Sequence, residues 1–160
     1  MKKLLSPIRL AVFDVDGVLT DGRVGLDGSG EVKAFHVQDG AGLKALIRAG
    51  IQVAFLTARR STALEARARE LGVTLLHQGA SPKLPVLQAM AAELGVAARE
   101  VFYMGDDLPD IECLRWSGVP CAPANARPEV KSQALVLLGR AGGDGAAREA
   151  AELLLAARAG

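Results

Sequence analysis

Short apolar runs alternate with longer, helix-periodic stretches along most of the chain. Residues 8–13 (IRLAVF) are rich in branched side chains and end at Asp14, as a strand buried within a parallel sheet reads. Residues 51–56 (IQVAFL) repeat the pattern and end at Thr57, and residues 101–104 (VFYM) repeat it again and end at Gly105-Asp106-Asp107. Residues 119–122 and 134–138 are weaker strand candidates. Between the runs lie helix-like segments at 41–49, 61–71 and 84–94, each followed by a glycine (Gly50, Gly72, Gly95). A glycine just past an apolar-periodic stretch is the expected stop signal, because a left-handed residue costs least there. The β–α alternation predicts right-handed crossovers and a doubly wound α/β fold, a parallel sheet covered by helices on both faces.

One segment breaks the alternation. Residues 22–36 (GRVGLDGSGEVKAFH) place Asp27-Gly28-Ser29-Gly30 between two short alternating stretches, a β-hairpin signal. The hairpin leaves directly after the first strand, where a cover over an active site would stand. An isolated hairpin is marginally stable in water, so it is expected to pack against something, such as another subunit. At the far end, the glycine-rich 142–145 opens an amphipathic helix at 146–157. The expected organisation is one domain over 1–160, with a flap at about 22–36 and a tail at about 139–160.

Composition narrows the function classes. A chain of 160 residues is long enough to bury a core without staples. Lys and Arg total 19 against 18 Asp and Glu, so the basic excess of a nucleic-acid binder is missing, and aromatics at 4% leave little for base stacking. Cys113 and Cys121 form neither a disulfide framework nor a CxxC metal site and read as reduced thiols. No apolar run approaches the length of about 18 residues that a membrane span needs. Met1-Lys2-Lys3-Leu4-Leu5 resembles the start of a signal peptide, but Pro7 and Arg9 cut the apolar stretch short. A cytoplasmic protein with no nucleic-acid or membrane partner is expected.

The carboxylates are not spread evenly. Ligands of an open parallel sheet bind outside the carboxyl ends of its strands. There the chain puts Asp14 and Asp16, then Thr57, then Asp106, Asp107 and Asp110, with Lys83 opening the following helix. Each piece alone also reads as a turn or a helix cap. Together, carboxylates at strand ends without His or Cys describe an oxygen-liganded divalent cation such as Mg²⁺, with Asp14, Asp16 and Asp106 as candidate ligands. A carboxylate nucleophile, a cation, a hydroxyl and an ammonium are the parts of phosphoryl transfer through an aspartyl phosphate. On this reading Asp14 attacks phosphorus, and Asp16 protonates the leaving alcohol and then activates water. Thr57, the N–H of Ala58, and Lys83 hold phosphate oxygens, while Asp107 and Asp110 orient Lys83 and the metal's waters.

These residues carry a family resemblance. DVDGVLTDG (14–22), LTAR (56–59), Lys83 and GDDLPD (105–110) resemble the four motifs of the haloacid dehalogenase superfamily, in order. KAFHVQDGAGLKAL (33–46), LHQGASPKLPVL (76–87) and GRAGGDGAAREAAELLL (139–155) resemble its capless 3-deoxy-octulosonate 8-phosphate phosphatase branch. The resemblance implies a Mg²⁺-dependent sugar-acid phosphatase on the lipopolysaccharide precursor route. It also implies a homotetramer whose hairpins associate centrally and whose tails lie near neighbouring active sites. Arg59 and Arg60 are placed for a sugar carboxylate. The chain departs from the branch pattern at His36 and Gln38, where Asn and Arg are expected, and at Asp144, where a basic residue is usual. Those departures leave open a sister activity on nine-carbon, sialic-acid-type 9-phosphates.

A signalling receiver also combines acidic pairs, Mg²⁺, Thr and Lys around an aspartyl phosphate. The order of parts opposes it, since the paired acids Asp14 and Asp16 share the first strand and Asp106 comes late. A phosphatase-like scaffold without turnover is opposed by the completeness of the set. His36, His77, Tyr103 and Trp116 read as packing or contact residues.

Overall fold

Period-two burial in the central strands sets the architecture. In β1 (Leu10–Phe13), Ala11 and Phe13 belong to one core cluster while Leu10 and Val12 belong to another, so both sheet faces are covered. The computed structural model, which describes residues 1–159, contains seven further strands: β2 (Gly25–Leu26), β3 (Glu31–Val32), β4 (Gln52–Leu56), β5 (Leu75–His77), β6 (Val101–Met104), β7 (Val119–Ala122) and β8 (Val136–Leu137). Six of the eight form one parallel sheet in the order β5-β4-β1-β6-β7-β8. The helices are α1 (Lys2–Leu5), α2 (Val37–Arg48), α3 (Thr62–Leu71), α4 (Leu84–Glu93), α5 (Ile111–Trp116), α6 (Pro128–Lys131) and α7 (Ala146–Arg158). Leu43, Leu46, Leu64 and Leu154 bring α2, α3 and α7 onto one face; Leu87, Leu114 and Val130 bring α4, α5 and α6 onto the other. The expected doubly wound α/β fold is the observed one.

The chain runs outward from β1 to β4 and β5, then returns to β6 and runs outward the other way. The reversal falls between β1 and β6, which pair in register from Leu10 with Val101 to Phe13 with Met104. Strand ends at such a switch point open a crevice. Asp14 follows β1 directly and Asp106 follows β6 by one glycine, so the topology brings acids far apart in sequence to one place.

Several boundaries differ from the sequence reading. The strand β5 was not expected; it is a half-buried edge of three residues, too short to show a pattern. The candidate at 134–138 shortens to β8, and the short helices α1, α5 and α6 have no counterpart among the expected elements. Helix α2 starts at Val37 rather than 41, taking in Asp39 and Gly40. Tertiary demands explain that early start. A Cβ on Gly40 would lie 2.5 Å from the Arg67 guanidinium, so a larger residue would have to push that side chain aside. Asp39 is buried and its Oδ1 accepts the N–H of Arg148 at 2.9 Å. It thus caps α7 across the interface, where Gly145 offers no side-chain cap.

The hairpin is present, but its strands have only two residues each. Asp27 Oδ1 closes the turn by accepting from the N–H groups of Ser29 and Gly30 and from the Ser29 hydroxyl. Val24, Leu26 and Val32 remain exposed on it. The tail glycines are not a free loop. The N–H of Gly142 donates to Asn125 Oδ1 at 2.6 Å, and Asn125 Nδ2 donates to the Gly17 carbonyl at 2.9 Å. A Cβ on Gly142 would collide with that carbonyl, so glycine is required where the tail crosses the first loop.

Candidate active site

A cleft of about 240 Å³ at the β1–β6 crevice is lined by Asp14, Asp16, Thr57, Lys83 and Asp106, among others. Asp14, Thr57 and Lys83 are buried, as is Asp110 at 0% exposure. Their positions follow from the sheet: Asp14 extends β1, Thr57 extends β4, Asp106 and Asp110 follow β6, and Lys83 precedes α4. Lys83 Nζ lies 2.9 Å from Asp14 Oδ1 and 2.7 Å from Asp110 Oδ1. Burial alone would lower the Lys83 ammonium, but Asp14 and Asp110 outweigh it and raise it, so Lys83 is a fixed positive charge.

Asp110 is the most heavily bonded acid in the cleft. Beyond Lys83, it accepts the Tyr103 hydroxyl at 2.7 Å and the backbone N–H groups of Asp106 and Asp107 at 3.1 and 3.2 Å. It therefore shapes the loop after β6 and orients the lysine. Asp107 does not share that task. Its side chain is exposed, accepts the N–H of Leu108 at 2.8 Å and faces Arg127. Tyr103, expected only to pack, also has this polar role; a buried Tyr ordinarily finds a partner for its hydroxyl.

Asp14, Asp106 and Asp110 each offer an oxygen within 4.8 Å of the others. The carboxylate of Asp16 is not part of that group. It turns to the hairpin, where Lys33 Nζ donates to Asp16 Oδ1 at 2.6 Å. Thr57 Oγ1 accepts the N–H of Arg59 at 3.2 Å, forming a tight turn beside Ala58. Arg59 lines the cleft and its Nε donates to Glu31 at 3.3 Å. Arg60 is not a cleft residue; its guanidinium lies against Gly79. Gln38 faces a separate groove with Arg140, Arg148 and Glu149. His36 precedes α2, and His77 gives its carbonyl to the Thr57 N–H at 2.9 Å.

The acidic group fits a divalent cation. Asp106 Oδ1 is buried without a hydrogen-bond partner, and a Cβ at Gly17 would strike the same carboxylate. Burial pushes the Asp14 carboxyl well up, the charge of Asp110 adds to this, and Lys83 opposes it. Burial, then Asp110 and Asp107, push Asp106 up to about 7. Several carboxylates around a single ammonium lack positive charge, and hard oxygen donors suit Mg²⁺.

An acid raised from about 3.8 to about 7 favours the fold while protonated, and that contribution is lost as pH rises through this window. A cation must also displace the proton to bind. Millimolar Mg²⁺ should therefore raise the melting temperature by about 5–10 °C at pH 8, for saturation near a hundredfold, and by clearly less at pH 6. Calorimetry with EDTA controls reads this, and equal rises at both pH values would contradict it.

Fold and cleft together define the class: residues 74–149 match the haloacid dehalogenase-like hydrolase family. The chain is 42% identical over 152 residues to the 3-deoxy-D-manno-octulosonate 8-phosphate phosphatase of Yersinia pestis, covering 94% of this chain and 81% of the relative. The Moraxella catarrhalis phosphatase of that name, solved with magnesium, phosphate and KDO, superposes with a TM-score of 0.96 at 38% identity, covering 99% of this chain and 91% of that one. The cobalt-bound Haemophilus influenzae phosphatase gives a TM-score of 0.95 at 39% identity, covering 99% and 92%. This chain belongs to the 3-deoxy-D-manno-octulosonate 8-phosphate phosphatase family.

Lys33, Tyr103 and Asn125 lie outside the set of residues that the strand-end motifs mark. Lys33 carries a sequence signal only once the hairpin is known to fold back over β1. Asn125 follows β7, in line with the other strand ends, and could have been found by that rule.

Proposed function

We propose that the protein hydrolyses 3-deoxy-D-manno-octulosonate 8-phosphate to the free sugar acid and phosphate, with Mg²⁺ as cofactor and an aspartyl phosphate on Asp14. The observation that carries this reading is the convergence of Asp14, Lys83, Thr57 and Asp106 on one cleft, joined to identity above 40% with a phosphatase of that substrate. The substrate's phosphate oxygens meet the Lys83 ammonium, the Thr57 hydroxyl and the Ala58 N–H. An Asp14 oxygen bonds to phosphorus as the bond to the bridging oxygen breaks, and Asp16 passes its proton to that oxygen. Water then bonds to phosphorus, Asp16 takes its proton, and the Asp14–phosphorus bond breaks. Asp14 and Asp106, with the chain near Asp16, would hold Mg²⁺, which when bound neutralises charge on the transferring group. Fixed charges in a cleft with buried walls favour the transition state because they need no reorganisation. Arg59 stands at the rim, where a guanidinium suits a sugar carboxylate.

A phosphate-release assay tests this with 3-deoxy-octulosonate 8-phosphate and nine-carbon acid 9-phosphates side by side. The eight-carbon ester should be preferred and EDTA should abolish turnover. Preference for the nine-carbon ester would overturn the substrate assignment and fit the departures at Gln38 and Asp144.

The same reading makes the protein a homotetramer built on the hairpins. Val24, Leu26 and Val32 are exposed there, and Leu26 at 78% is the most exposed of the three. A cleft without a cap domain gains walls from a neighbour. Leu26→Asp should move a sizing-column peak to smaller species, and an unchanged elution volume would refute the hairpin's role. The free, buried Cys113 and Cys121 support a reducing, cytoplasmic setting; burial pushes the Cys113 thiol up to about 12, which makes it inert. No helix among the described residues is long and apolar enough to cross a membrane.

A further inference from the structure

The hairpin sends one charged side chain against Asp16, an acid that lines the cleft. Lys33, just past β3, has a side chain 2% exposed, with Nζ 2.6 Å from Asp16 Oδ1 and 2.8 Å from Glu31 Oε1. Glu31 in turn accepts from Arg59 Nε at 3.3 Å, so an unbroken chain of charge-assisted hydrogen bonds runs Asp16–Lys33–Glu31–Arg59. It ties the loop after β1 to the hairpin and the hairpin to the phosphate-binding turn. A surface staple of this kind contributes little, because both partners remain solvated. Here the ammonium is enclosed, and its removal would free the Asp16 carboxyl to turn about χ1 and χ2. Asp14 needs no such help, being held by Lys83.

We infer that Lys33 is a positioning residue for Asp16, and that the hairpin serves the chemistry of its own subunit by aiming the acid at the leaving oxygen. The inference rests on the proposed phosphatase reaction. In the step concerned, the O–H bond of Asp16 breaks as its proton passes to the bridging oxygen. The phosphorus–alcohol bond breaks with it, and the bond from Asp14 to phosphorus forms. Effective molarity in such transfers depends on aim, so a carboxyl left to rotate loses most of the benefit.

Leaving-group dependence separates aim from architecture. An alkyl alcohol needs the proton, whereas p-nitrophenolate departs without it. kcat/KM reports only steps through loss of the alcohol, so later hydrolysis of the phosphoenzyme does not blur it. For Lys33→Met in the full-length protein with Mg²⁺, kcat/KM on 3-deoxy-octulosonate 8-phosphate should fall on the order of 10²-fold. On p-nitrophenyl phosphate it should fall only a few-fold. Lys33→Arg should recover part of the loss on the alkyl ester. Equal losses on both esters, or no loss on either, would overturn the inference. Should Lys33→Met fail to fold by circular dichroism, Glu31→Gln loosens the same chain from its far side. It should show the same selective direction with a smaller amplitude, and a uniform effect would again overturn the inference. If wild-type protein cleaves p-nitrophenyl phosphate but not the sugar-acid ester, the substrate assignment fails. Lys33 is then judged on another alkyl phosphate, glycerol 3-phosphate, by the same ratio.

Discussion

Asp14→Asn should lose phosphate release on the order of 10⁴-fold or more, the scale seen when a covalent nucleophile is removed from an otherwise intact site. The amide keeps the shape of the carboxyl but cannot bond to phosphorus as an anion. The fold should survive, because the substitution replaces a carboxyl that burial holds well above its ordinary range, and the partner left behind, Lys83, retains Asp110 at 2.7 Å. Melting temperature in EDTA should accordingly change little, or rise, while turnover disappears. The two readouts must be taken on the same preparation. Retained turnover in a folded variant would remove Asp14 from the nucleophile's place and the aspartyl phosphate with it.

The second large effect is expected at Asp110, in stability as well as in activity. Asp110→Ala strands the Tyr103 hydroxyl and the N–H groups of Asp106 and Asp107, and takes from Lys83 one of its two carboxylates. Breaking a buried charged network from one side costs about 3–5 kcal/mol. In a chain of this size that is about 6–20 °C in Tm. Asp107→Ala, three residues earlier, should cost under about 1 kcal/mol, because its carboxylate is exposed and its partner Arg127 is solvated. Thermal melts of the two variants side by side decide the matter, and comparable losses would show that the loop after β6 is not organised by Asp110.

That contrast also shows what the sequence could and could not convey. GDDLPD displays three acids after an apolar run and nothing in their spacing says which turns inward. The answer comes from Tyr103, whose hydroxyl needs a partner inside, and from Gly105, where a Cβ would lie 2.4 Å from Asp110. The central strands β1, β4, β6 and β7 were legible because burial on both faces leaves an unbroken apolar run. The edge strand β5 was not, since a half-buried edge of three residues has no such run. The start of α2 was hidden because Asp39 and Gly40 are poor helix formers placed there by contacts with α7 and α3. The strand-end rule places Asp14 and Asp106 within reach of one another, and the structure brings their oxygens together, whereas the carboxylate of Asp16 is committed to Lys33, a residue 17 positions away whose approach depends on the hairpin's path.

The crossing of the tail glycines over the first loop has a temporal corollary. Asn125 and Gly17 are 108 residues apart in sequence, and Gly142 joins them later still. During synthesis the strand bearing the nucleophile leaves the ribosome well before Asn125 and Gly142, which form the bracket behind its loop. Contacts of such long range are slow to close. A nascent chain halted before Gly142 thus carries every acid and the lysine of the cleft, and Asn125 as well, but lacks the backbone N–H groups of Gly142 and Gly143 that hold Asn125 and the Val18 carbonyl in place.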